Sequence, residues 1–469
     1  MSTREFDVVV IGGGPAGENA AQYAVEGSGL TCALVEAERV GGECSYWACM
    51  PSKALLRPIE VAEAAGHLEG VERPRIIPDA LLSRRDVWRS HLDDSGQVGW
   101  AESVGLDVVR GFGRLMGPRV VGVETDSGSQ VLAARHAVVL ATGSVAAVPE
   151  AMARVSPWTS RDATGVLDAP ERLAIIGGGV VACEAATWMS ALGSRVTMLV
   201  RGNRLLPRLE PAAGEAVASG LRERGIDIRL NTRLGAARRE SIVEAPEPGR
   251  LHGGPVILEV DGMDMVFDEV LVATGRRPAT RGLGLDSVGL SADDLTGGVD
   301  LLDGWLYAVG DVSGGPQLTH WGKYQARIVG ELIAARASGG PEPLLPPTGP
   351  LAPVPNVVFT DPQVAQVGPT AEVARREGLE IRVIDLPMES VAGYSLLRDD
   401  TDGVARLILN GDCLIGASFV GHEVAELLHA ATVAVTGKVP LAQLRHAVPS
   451  YPTASEIWLR LIEAAVRSV

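Results

Sequence analysis

Two stretches of this chain, 165 residues apart, read alike: Val9-Val10-Ile11 running into Gly12-Gly13-Gly14, and Ala174-Ile175-Ile176 running into Gly177-Gly178-Gly179. In each, a short apolar run of the kind that forms a buried strand meets a glycine turn. An alanine-rich helical stretch follows (16–24 and 181–192), and then a second apolar strand (32–35 and 196–200). A strand–helix–strand unit is therefore present twice, which points to an α/β fold built on parallel sheets. The glycines have a mechanical purpose. Gly12, Gly14 and Gly17 permit a tight turn, close approach of backbone to a pyrophosphate, and close helix–strand packing. The phosphates of a dinucleotide then sit at the helix amino terminus. The second copy offers Gly177, Gly179 and Ala182, alanine being acceptable at the last position. A tight turn in an unrelated α/β fold is the alternative for either copy alone, and repetition in register weighs against it.

The positions that choose a cofactor also fall in register. Glu36 lies 19 residues after Gly17, where a carboxylate accepts hydrogen bonds from the ribose of FAD or NAD. Nineteen residues after Ala182 stands Arg201 instead. With Arg204 nearby, it would pair with a 2′-phosphate that a carboxylate would repel, so the second site leans toward NADPH. A solvated Arg201 in an NADH enzyme is the other reading. Two further matches support the duplication: Val138-Val139-Leu140 leads into Ala141-Thr142-Gly143, and Val270-Leu271-Val272 into Ala273-Thr274-Gly275.

With 469 residues, about three domains are expected. The proline-rich stretch 341–355 reads as a connection, and beyond it strands near 406–409 and 415–420 and a helix near 424–435 suggest a further domain. A formal net charge of -16 repels nucleic acid and anionic membrane surfaces, and neither is an expected partner. No uncharged apolar run reaches the roughly 20 residues of a membrane helix. From Met1 the chain runs directly into Val8-Val9-Val10-Ile11 without the pattern of a signal peptide, so a cytoplasmic location is expected.

Five cysteines, at 32, 44, 49, 183 and 413, are too few and scattered for a secreted disulfide scaffold. Cys32, Cys183 and Cys413 stand alone in apolar stretches and are expected to be small core residues. Cys44 and Cys49 are different, lying close after Glu36 in Gly41-Gly42-Glu43-Cys44-Ser45-Tyr46-Trp47-Ala48-Cys49-Met50-Pro51-Ser52-Lys53. Residues five apart in a regular helix are separated by roughly 8.6 Å between Cα atoms, beyond the roughly 4.4–6.8 Å a disulfide accepts. A bridge would need a distorted first turn and would be comparatively easy to reduce. A zinc site is the chemical alternative, but no second close Cys or His pair supplies the remaining ligands, and no metal is expected. Two inert core thiols are the other.

With these pieces in order, the chain resembles the flavoprotein disulfide reductases, the family of dihydrolipoamide dehydrogenase, glutathione reductase and mercuric reductase. The resemblance runs over nearly the whole length. It is carried by the first Gly-x-Gly-x-x-Gly, the run from Gly41-Gly42 to Lys53, both Ala-Thr-Gly turns, Tyr307-Ala308-Val309-Gly310-Asp311, and Pro452-Thr453-Ala454-Ser455-Glu456. It implies two Rossmann-like dinucleotide-binding domains and a carboxy-terminal α+β dimerisation domain. The implied FAD-binding domain is discontinuous (1–150 and 276–345), with 151–275 for NAD(P)H and 346–469 for dimerisation in a homodimer.

The resemblance further implies that Cys49 is the thiol against the flavin, in a charge-transfer pair, while Cys44 exchanges with substrate. Asp311 would hold the ribityl chain. Lys53 and Glu184 match a pair expected to meet near flavin and nicotinamide, and Lys53 is one of only three lysines beside 39 arginines. Tyr451 stands where the commonest pattern has histidine, as in mercuric reductases, and would pair with Glu456 across the dimer interface. His446 is five residues upstream and is the other candidate for proton transfer. The chain also ends Arg467-Ser468-Val469 without the carboxy-terminal cysteine pair of mercuric reductases, and lacks their common metal-binding amino-terminal extension. Tyr46-Trp47 replaces the smaller residues usual between the cysteines, which would change stacking or access there.

The expected function is NADPH-preferring reduction of a small disulfide, quinone or related acceptor. A lipoamide dehydrogenase, or a flavin electron-transfer or sensor protein with a regulatory disulfide, are the alternatives.

Overall fold

The computed structural model describes residues 3–297 and 299–467; Met1, Ser2, Gly298, Ser468 and Val469 lie outside them. The chain divides into two units, the first formed by Met1–Met50, Asp86–Ala146 and Arg276–Gly349, the second by Pro51–Arg85, Ala147–Gly275 and Pro350–Val469. Among the described residues no helix is long and apolar enough to cross a membrane.

In the first unit the strand Thr3–Ile11 lies between Cys32–Glu36 and Gly128–Leu140, parallel to both. Leu306–Ala308 and Leu106–Arg110 extend the parallel sheet on either side. Val8, Val9 and Val10 are fully buried because helices or further strands cover both faces of this sheet, the reason its strands are continuous apolar runs. The helix Pro15–Val25 returns the chain between the first two strands, as the repeat predicts, and packs on the long helix Thr319–Ser338.

The second unit repeats the device. Arg172–Ile176 pairs in parallel with Arg195–Leu199 and Glu269–Val272, and the helix Val180–Ala191 is the crossover. Leu55, Leu56 and Ile59, from the helix Cys49–Gly66, join Trp158 and Trp188 in the same core. Beyond residue 350 five antiparallel strands follow in the order Pro355–Val358, Gln363–Val367, Cys413–Gly421, Val404–Asn410, Ile381–Pro387. The helix expected at 424–435 begins later, at Leu428–Thr436, after a single 3-10 turn at Ala425–Leu427.

Cys32 and Cys183 are buried core residues as expected. Cys413 is not. It opens its strand next to a turn, half-buried, with Sγ 3.4 Å from the Lys438 carbonyl oxygen, because alternation puts the apolar neighbour Leu414 into the core instead.

Candidate active site

The two glycine turns are built alike. Gly12 has φ 107°, and a Cβ there would come within 2.4 Å of the Ala141 carbonyl oxygen; Gly177 has φ 132°, and its Cβ would lie 2.3 Å from the Ala273 carbonyl oxygen. Each Ala-Thr-Gly turn therefore closes on its own glycine turn, which explains why the two motifs recur together. The helices beginning at Pro15 and Val180 follow Gly14 and Gly179, and neither has a side-chain cap. Their first N–H groups and dipoles suit a phosphate.

In the first unit Glu36 ends its strand with Oε2 accepting from Gly13 N at 2.7 Å and Oε1 from Glu38 N at 2.6 Å. Burial raises its pKa against the pull of these hydrogen bonds. A Cβ on Gly42 would stand 2.8 Å from Gly14 Cα, so two backbones without side chains line one cradle. Gly17 sits within the same helix, and Thr142 Oγ1 donates to the Ala279 carbonyl oxygen before the turn at Gly143. Ser144 Oγ donates to Asp311 Oδ2 at 2.5 Å and accepts from Arg276 Nε at 2.7 Å, which fixes Asp311 on its 3-10 turn Gly310–Ser313. An uncapped helix start, a carboxylate one strand away and a side-chain-free cradle fit the ADP half of a dinucleotide.

The cysteines lie in this unit. Cys44 belongs to the one-turn helix Gly42–Tyr46, Trp47 leaves helical geometry at φ -133°, and Cys49 opens the next helix. The turn is thus broken between the sulfurs, as their spacing requires. Both are in the thiol form here, and the Cys49 Sγ lies 3.2 Å from Thr319 Oγ1. The Cys44 thiol is pushed far up, first by its hydrogen bond with Cys49, then by burial and by the charge of Cys49; Thr319 and the charge of Lys323 oppose this. Tyr46 and Trp47 are buried, the Tyr46 hydroxyl donating to the Val40 carbonyl oxygen and the Arg89 guanidinium standing 5.6 Å from the Trp47 ring centroid. Burial pushes the Tyr46 hydroxyl up to about 12.

In the second unit Lys53 Nζ lies 2.7 Å from Glu184 Oε2 and 4.8 Å from the Phe359 ring centroid, while Glu184 Oε1 accepts from Phe359 N. Ala182 is fully buried two residues before Glu184. Arg201 is exposed just beyond the strand Arg195–Leu199 and makes no ion pair among the described residues. Arg204 is held differently, Nη2 donating to the Pro207 carbonyl oxygen. Gly275, at φ 123°, accepts from Ala147 N.

Tyr451 is 76% exposed, and Glu456 opens the final helix Glu456–Arg467 with its Oε2 buried and without a hydrogen-bond partner among the described residues. His446 is exposed, and its side chain makes no hydrogen bond to Tyr451 or Glu456 among the described residues. No group of three or more His, Cys, Asp or Glu side chains among the described residues could hold a metal.

Sequence reasoning missed Thr319 and Phe359, which belong to no local motif, and Ser144 and Arg276, each of which directly follows an Ala-Thr-Gly turn. For Lys323 there was a signal, since it is another of the three lysines.

The family "Pyridine nucleotide-disulphide oxidoreductase" matches residues 6–326, and its dimerisation domain matches 354–462. A mercuric reductase of Staphylococcus aureus is 31% identical over 96% of this chain and 81% of its own length. A dihydrolipoyl dehydrogenase of Chlamydia trachomatis is 31% identical over 97% and 95%, and a mercuric reductase of Streptomyces lividans 32% over 96% and 94%. Among solved structures, the Cu(II) complex of the HOCl-induced flavoprotein disulfide reductase RclA from Escherichia coli shares the fold with a TM-score of 0.81 at 23% identity, covering 98% of this chain and 99% of that one. LpdA from Mycobacterium tuberculosis gives 0.81 at 24%, covering 99% and 100%. With its repeated dinucleotide turns, its paired cysteines and its dimerisation domain, the chain belongs to the pyridine nucleotide-disulphide oxidoreductases, FAD-dependent enzymes that use a pyridine nucleotide and a redox-active disulfide.

Proposed function

We propose that this enzyme takes electrons from NADPH in preference to NADH and passes them through a Cys44–Cys49 disulfide to a small disulfide, quinone or related acceptor. The observation that carries this reading is the Cys44–Cys49 pair set on either side of the break between two helices. In this reading 1–150 and 276–345 bind FAD through Gly12, Gly14, Gly17, Glu36, Gly42, Ala141, Thr142, Gly143 and Asp311. The stretch 151–275 binds NADPH through Gly177, Gly179, Ala182, Arg201, Arg204 and Gly275. The carboxy-terminal 346–469 pairs two copies in a cytoplasmic homodimer.

Bound FAD supplies the two-electron relay between nicotinamide and sulfur. The protein's own groups do the rest. Lys53, oriented by Glu184, presents a cation where negative charge develops. As the S–S bond breaks, Cys49 keeps the electron pair as a thiolate and Cys44 takes the proton. With a disulfide acceptor, Cys44 loses that proton as it attacks, one half of the acceptor leaves as a thiolate, and Cys49 then attacks Cys44 of the mixed disulfide to release the other half and restore the S–S bond. Tyr451, with Glu456, donates a proton to the reduced acceptor.

Dihydrolipoamide oxidation, the activity named for some relatives, is the second reading, and Tyr451 in the place of a histidine base argues against it. An anaerobic acceptor screen with NADH and NADPH side by side tests the proposal. Steady NADPH consumption with a simple disulfide, lost in Cys44→Ser, supports it. Fast quinone reduction unaffected by that change would instead make the protein a diaphorase.

A further inference from the structure

The helix Thr319–Ser338 begins in an unusual way. Leu318 takes the cap position, for which leucine is poorly suited, although threonine, a good capping residue, stands next to it. No side chain caps this helix. The Thr319 hydroxyl is instead 3.2 Å from Cys49 Sγ, 270 residues away in sequence. Thr319 also opposes the upward push on the Cys44 thiol. Lys323 lies four residues on, on the same helix face, and its charge favours the Cys44 thiolate too. Twenty residues of aligned peptide dipole end at this point with their positive pole.

We propose that Thr319 is the residue that stabilises the reduced form of the Cys44–Cys49 pair, its hydroxyl donating to the thiolate of Cys49. This rests on the Cys44–Cys49 reading above. The chemistry is directional. When NADPH delivers a hydride equivalent, the S–S bond breaks, the electron pair leaves a thiolate on Cys49, the proton ends on Cys44 as a thiol, and NADP⁺ departs. A thiolate has no proton, so the hydroxyl must be the donor, and a charge-assisted bond is stronger than one between neutral groups. In the disulfide the sulfur is a weak acceptor and the same hydroxyl contributes little. The contact therefore favours reduction and holds Cys49 in one position while Cys44 exchanges.

The test uses the FAD-loaded enzyme and the variants Thr319→Val, Thr319→Ser and Cys49→Ser. Disulfide content is read by thiol alkylation after equilibration in dithiothreitol redox buffers at fixed pH, and the long-wavelength absorption of the partly reduced enzyme is recorded alongside. Thr319→Val, which keeps the shape and loses the hydroxyl, is expected to move the equilibrium toward the disulfide by roughly tenfold to a hundredfold and to weaken the band. Thr319→Ser should restore both. Parental values in Thr319→Val, or a serine variant as impaired as the valine one, overturn the inference. A band that survives Cys49→Ser shows that the roles of the two sulfurs are wrongly assigned, and overturns this inference with them.

Discussion

Lys53 and Glu184, 131 residues apart in sequence, meet at 2.7 Å, and the second carboxylate oxygen of Glu184 is held by the backbone N–H of Phe359. The Glu184 side chain is 5% exposed and that of Lys53 38%, so the two partners are not equivalent. Lys53→Met leaves a buried carboxylate with one hydrogen bond, whereas Glu184→Gln keeps an acceptor for Phe359 and removes the buried charge. Lys53→Met should cost about 1–3 kcal/mol of stability, discounted toward the lower end for the solvent around Lys53, and Glu184→Gln less. Urea unfolding measures the difference, and stopped-flow reduction of the flavin by NADPH should be slower in both.

Partial reduction of the yellow holoenzyme should produce a long-wavelength band from a Cys49 thiolate beside oxidised flavin. Cys49→Ser should abolish it and Cys44→Ser should not. The opposite pattern in a spectrophotometric titration would exchange the roles of the two sulfurs.

Arg201 is exposed and without an ion pair among the described residues, while Arg204 is engaged by the Pro207 carbonyl. Arg201 is therefore the more available of the two cations for a 2′-phosphate. Arg201→Glu should lower affinity for NADPH roughly 10-fold to 150-fold and shift the preference toward NADH. Initial rates with both nucleotides decide this, and a parent enzyme that favours NADH removes the argument.

Glu18, in the helix after the first glycine turn, is 7% exposed, and burial raises its carboxyl to about 7. The charge of Lys323 and the hydrogen bond from Gln97 oppose this, while the charge of Glu36 adds to it. Because the folded pKa lies above the unfolded one, stability is full below about 4.5 and is lost as pH rises toward about 7. The loss is on the order of 3 kcal/mol. Glu18→Gln should be more stable than the parent above pH 7 and no more stable at pH 4. Thermal or urea denaturation across that range, showing no crossover, would contradict it.

A phenol with pKa near 10 is a poor base at neutral pH and a better proton donor. If Tyr451 takes the place of that histidine, as proposed, dihydrolipoamide should be oxidised poorly and Tyr451→His should raise that rate. Tyr451→Phe should slow acceptor reduction more than flavin reduction by NADPH. Rapid dihydrolipoamide oxidation by the parent enzyme would restore the lipoamide reading and make His446 the next residue to change.

The duplicated turns, the strands on either side of them and the broken helix between the cysteines were all legible in the sequence. Each follows from a local rule: glycine where the backbone takes positive φ at Gly12 and Gly177, apolar runs where strands are covered on both faces, and a five-residue spacing that no regular helix can bridge. Tertiary structure alone decided which distant groups meet these elements. It brought the Thr319 hydroxyl to Cys49, the Phe359 N–H to Glu184, and Ser144 with Arg276 to Asp311, and it left Cys413 half-buried at the start of a strand. Such contacts join chain segments through packing, and a hydrogen bond between residues 270 apart leaves no periodicity in the sequence between them.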